Sequence, residues 1–148
     1  MDSSFLVFAH SVLRYAVLFA VAYAGITHLL GRLLQRPILT IHRTMAIVAV
    51  VVCHVQLALG LILYLMNSTY ALDSSSPVGR FWRFEHIGTM VVAVVLVTLG
   101  RSLSKRVKDE RAKQMRVAVF YLIALVLMLW AIPWPVTEFG HLTGRGWL

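Results

Sequence analysis

Four long apolar segments, separated by short polar or charged runs, set the pattern of this chain: about Phe5–Leu34, Ile41–Met66, Phe81–Ser104 and Ala112–Ile132. Each exceeds the roughly 20 residues that a helix needs to cross about 30 Å of hydrocarbon. Helices satisfy their own backbone hydrogen bonds in lipid, so the pattern predicts an all-α, integral membrane four-helix bundle in one domain. The breakers agree with it. Arg36-Pro37 ends the first segment and leaves a short turn, which makes the first two helices antiparallel neighbours. Asn67 to Gly79 is a polar connection, Lys105 to Lys113 a charged one, and Pro133 and Pro135 close the fourth helix before a glycine-rich tail with Gly140, Gly144 and Gly146. The resulting order is up-down-up-down.

Composition sharpens this reading. Of 148 residues, 59% are hydrophobic and only 14% charged, against about a quarter charged in soluble domains. The lone cysteine, Cys53, lies inside an apolar run, has no partner for an intrachain disulfide, and is expected as a small core residue. The opening Met-Asp-Ser-Ser-Phe lacks the basic region of a secretory signal, so the first segment is expected to remain as a span. A formal charge of +8 would suggest nucleic acid on a soluble chain, but its distribution excludes that use. Arg32, Arg36 and Arg43 flank the first connection, and Arg101, Lys105, Arg106, Lys108, Arg111, Lys113 and Arg116 flank the third: ten of the fourteen basic residues. The positive-inside rule puts both connections in the cytoplasm. Both termini and the Asn67–Gly79 connection are then outside a bacterial inner membrane, with Tyr70, Trp82, Trp130 and Trp134 as an outer aromatic belt.

Against this apolar background stand six histidines. At about 1.5 Å per residue, His10 and His86 fall ~7–8 Å below the outer edge and His54 roughly 18 Å, near the midplane. His28 and His42 fall near the cytoplasmic boundary and His141 in the tail. Helical periodicity puts His10, Arg14, Val17, Val21, Ala24 and His28 on one stripe of the first helix, with Gly25 at its margin. His86, Met90, Ala93, Val97 and Gly100 share a stripe of the third. On the second, His42, Ala46, Ala49, Cys53, Gln56, Gly60 and Tyr64 form a stripe of small and polar residues, with His54 about 120° away from it. Small residues on such faces serve close helix packing or leave room for a flat cofactor.

Ionisable groups at membrane depth are costly and need a partner or a task. Neutral imidazoles on two helices at matched depth suit haem b, and His10 with His86 meets that condition best, with His54 able to replace either after a one-turn shift. Arg14 would then neutralise a haem propionate, and Glu85 would orient a ligand histidine. A self-satisfied polar network of the same residues is the structural alternative. A copper or zinc site of His10, His54 and His86, with Met90 suited to copper, is another possibility, as is a proton path through Glu85, His86, Arg14 and His54. Gln56 and Tyr64 would suit a quinone headgroup or an interhelical bond. The sequence holds no CxxC, HExxH, phosphate-binding glycine loop or nucleophile elbow.

The runs His10-Ser-Val-Leu-Arg14-Tyr, His54-Val-Gln56-Leu-Ala-Leu-Gly60-Leu-Ile-Leu-Tyr64 and Arg83-Phe-Glu85-His86-Ile-Gly-Thr-Met90 carry a resemblance, as do Ile132-Pro-Trp-Pro135 and Gly144-Arg-Gly-Trp147. They resemble small four-helix bacterial membrane proteins, of Bacteroidetes type, labelled cytochrome b or cytochrome-b-like. The resemblance implies that His10, His54 and His86 belong together with Arg14 and Glu85. The expected function is a haem-b-binding electron-transfer protein or small cytochrome subunit, exchanging electrons with quinone or a larger respiratory complex. If it is an enzyme, it is an oxidoreductase component. The alternatives are a haem-free accessory or scaffold subunit of a membrane complex and a metal or proton transporter.

Overall fold

A computed structural model describes residues 3–66, 75–143 and 146–147; Tyr70, Gly144 and most of the Asn67–Gly79 connection lie outside the described residues. The apolar segments form α1 (Ser3–Leu33), α2 (Thr40–Met66), α3 (Pro77–Lys105) and α4 (Glu110–Ala131), followed by the short α5 (Glu138–Leu142). All four long helices are apolar and long enough to cross a membrane. The chain is an all-α bundle with no strand among the described residues.

Two helix starts come earlier than apolarity alone predicts, because capping sets them. Ser76 caps α3 by accepting from the Gly79 amide at 3.0 Å, with Pro77 in the first turn, where its missing N–H costs nothing. Asp109 caps α4 by accepting from the Ala112 amide at 2.7 Å. At the end of α1, Gln35 takes a left-handed conformation (φ 53°) that lets the Arg36 amide reach back to the Gly31 carbonyl at 2.9 Å. Within α3, Phe81–His86 is a π-helical stretch between α-helical ends.

Packing follows the predicted stripes. α1 packs extensively on α2 and α4, and α3 on α4, with a sparser α2–α3 contact closing the ring. Thus α1 and α3 are diagonal, as are α2 and α4. Val17, Val21, Ala24, Ala46, Ala49, Cys53, Ala93 and Val97 are buried together around Tyr121. The Tyr121 hydroxyl donates to the Ala46 carbonyl at 2.6 Å, so this buried polar atom is satisfied across the diagonal. At Gly100 an added Cβ would come within 2.6 Å of the Phe120 Cβ, which fixes how closely α3 and α4 approach.

Where the small residues stop, the bundle opens. Val17, Cys53 and Val94 roof the core and also floor a cavity between the starts of α1 and α3, the end of α2 and the end of α4.

Candidate functional site

The cavity has a volume of about 180 Å³, is half open, and has largely apolar walls. Its polar residues are few: His10, Ser11 and Arg14 from α1, Gln56 and Tyr64 from α2, and Trp82 and His86 from α3. His10 and His86 therefore enter one space from diagonal helices.

Each imidazole has a distinct support. The π-helical stretch lets Phe81, five residues earlier, reach the His86 ring at a centroid separation of 5.8 Å. Trp82 meets the same ring edge-on at 5.1 Å. The Nδ1–H of His86 donates to the Ala131 carbonyl at 2.9 Å. That acceptor is available because α4 ends there and its last carbonyls have no partner in the helix. The bond fixes the tautomer and leaves the Nε2 lone pair for a ligand.

His10 lies on α2 at Gly60, where an added Cβ would stand 3.1 Å from its Cε1. One turn earlier, the Gln56 amide Nε2 donates to the His10 backbone carbonyl at 2.9 Å. This bond fixes the amide's orientation, and its Oε1 is left buried with no hydrogen-bond partner among the described residues. Helix 4 was not expected in the site, yet it supplies the His86 acceptor and the lining residues Met128 and Ile132. A backbone carbonyl freed by a helix end leaves no side-chain signature in sequence.

Arg14 stands at the cavity wall near the returning tail. Its Nη2 donates to the Trp147 carbonyl at 2.6 Å, and the Tyr15 hydroxyl donates to the same oxygen at 2.7 Å. The guanidinium also lies 5.9 Å from the Trp134 ring centroid, while its Nε is buried without a partner among the described residues. No carboxylate pairs with Arg14 among the described residues.

Two expected members are elsewhere. His54 is exposed on the outer side of α2, where its Nδ1–H donates to the Val50 carbonyl at 2.8 Å, and it does not line the cavity. The 120° offset from the small-residue stripe decides this: the stripe faces inward and carries His54 away. Glu85 points outward and pairs with Arg80 at 3.4 Å, so the Ala131 carbonyl, not Glu85, orients His86. Adjacency in sequence turned it the wrong way, since neighbours on a helix face different directions. Consequently His10, His54 and His86 do not converge, and no group of three metal-ligating side chains gathers among the described residues.

At the opposite end, His28 is buried and its Nδ1–H donates to the Ala24 carbonyl at 2.8 Å, with the His42 ring 6.2 Å away by centroid. His28 thus lies in the interior, on the same inward stripe of α1 as Val17, Val21 and Ala24. No family model, curated protein or solved structure matches the chain.

Proposed function

We propose that the protein is a haem-b-binding membrane electron-transfer protein in which His10 and His86 would hold the group. One observation carries this reading: two histidines on diagonal helices face one apolar cavity, and the Nδ1 of His86 is already committed to a backbone carbonyl. Haem b supplies reversible one-electron exchange between Fe(II) and Fe(III). The chain's own residues do the rest. Gly60 makes room for the His10 ring, Ala131 holds the His86 tautomer, and Trp82 and Phe81 fix its rotation. Arg14, whose Nε–H has no partner among the described residues, would offer it to a propionate. At about 180 Å³ the cavity is smaller than the roughly 300–1,000 Å³ that a sizeable ligand occupies, so its open mouth would have to widen to admit haem.

This reading fits the resemblance to small cytochrome-b-like proteins and extends to a bacterial inner membrane, the cation-rich end in the cytoplasm and the cavity toward the outside. Quinone or a larger respiratory complex would be the redox partner. The visible spectrum of the detergent-purified protein, made with ample haem, tests the proposal. A Soret band with reduced-state α and β bands is expected; their absence overturns it.

A second occupant is favoured by a separate observation. Among the described residues the Gln56 Oε1 lacks a donor and the Arg14 Nε lacks an acceptor in the same cavity, a pairing that suits a quinol bearing both. Quenching of tryptophan fluorescence by a short-chain quinol analogue, lost in Gln56→Leu, supports that reading. Quenching that persists unchanged in Gln56→Leu removes it.

A further inference from the structure

The ten cations of the first and third connections occupy one end of the bundle together with only two carboxylates, Asp109 and Glu110. Side-chain bonds knit the two connections into a single face. Glu110 accepts from the Ile38 amide at 3.2 Å and pairs with Arg43 at 3.8 Å; the Arg111 Nη2 donates to Gln35 at 3.3 Å, and the Gln114 Nε2 to the Arg36 carbonyl at 2.8 Å. Both carboxylates are thereby used. Asp109 caps α4 and Glu110 bridges to α2, so Lys105, Arg106 and Lys108 stand exposed with no carboxylate partner among the described residues.

One turn deeper on α3, the Arg101 Nε is buried without a hydrogen-bond partner among the described residues. Beside these cations the same end exposes large apolar side chains: Leu33, Leu34, Leu39 and Ile41 are 50–64% exposed.

From this arrangement we infer that the face is a binding surface for anionic phospholipid, with headgroup phosphates on the exposed cations and on Arg101 and acyl chains on the neighbouring leucines. An acidic protein segment would satisfy the charge but not the apolar border. Lipid satisfies both, and basic clusters at the ends of spans attract acidic headgroups in this way. The inference is independent of the cavity and of haem.

The test uses the full chain in nanodiscs of phosphatidylcholine with and without phosphatidylglycerol, followed by native mass spectrometry of the lipid retained. The wild type is expected to retain phosphatidylglycerol preferentially, and the preference is expected to fall as salt rises. Lys105→Gln/Arg106→Gln/Lys108→Gln is expected to weaken it by about fivefold per cation removed. Equal retention of the two lipids by the wild type overturns the inference, as does an unchanged preference in the triple variant. Should that variant fail to fold, Arg36→Gln/Lys113→Gln and the salt series on the wild type decide by the same criteria. Binding of a poly-glutamate peptide by wild type in pure phosphatidylcholine discs, with no phosphatidylglycerol preference, assigns the face to an acidic protein instead.

Discussion

Three histidines set in apolar segments have different fates, and the difference lies in what each helix face meets. His86 is turned inward and bonded to the end of another helix. His54 is turned outward and bonded to its own helix. In the haem reading, His86→Ala and His10→Ala each abolish the low-spin spectrum, while His54→Ala and Glu85→Gln leave it intact. Loss of the spectrum in His54→Ala alone would place iron elsewhere. Gly60→Ala separates ligation from folding more finely. Alanine improves the helix by roughly 1 kcal/mol, yet its Cβ would crowd the His10 ring at 3.1 Å. The expected result is an undiminished melting temperature with weaker haem retention, read by titrating haem into the apoprotein. Much of this was legible beforehand. Depth paired His10 with His86, and periodicity set His54 apart from the inward stripe. What sequence could not show was the acceptor for His86, because a backbone carbonyl is the same in every residue.

Among the elements, the inward stripes of α1, α2 and α3 were legible because their small residues recur at helical spacing, and those same residues are the buried ones. The π-helical stretch of α3 was not. A widened turn depends on where the backbone exchanges one hydrogen-bond register for another, and Phe-Trp-Arg-Phe-Glu-His carries no glycine or proline to mark it. Its consequence is local, since it sets Phe81 and Trp82 against the His86 ring at the cavity wall. The α3–α4 seam has a sharper dependence. At Gly100 the obstacle to a Cβ is the Phe120 Cβ, which cannot swing aside as a side-chain tip would. Gly100→Ala is therefore expected to part the helices and destabilise the bundle by about 1–3 kcal/mol, despite its better helix propensity. Thermal unfolding in detergent checks it, and an unchanged midpoint would mean that the seam is looser than its geometry implies.

At the scale of the whole molecule, the two ends differ in kind. One carries the knitted basic face; the other carries the cavity, with Arg14 bonded to the tail and Arg80 paired with Glu85. Charge asymmetry of this size orients insertion, because Lys- and Arg-rich connections are retained in the cytoplasm. The proposed orientation then makes a definite statement about access. In a Cys53→Ala background, which removes a buried thiol, cysteines can be placed at Val136, which is 76% exposed beyond α4, and at Lys108 in the basic connection. A membrane-impermeant maleimide added to intact spheroplasts is expected to label Val136→Cys at once. Lys108→Cys is expected to react only after permeabilisation. The reverse pattern would turn the cavity toward the cytoplasm, and in the haem reading electrons would then be exchanged on that side. Labelling of both sites in intact spheroplasts would mean that the chain inserts both ways, and the ten clustered cations would not be setting its orientation.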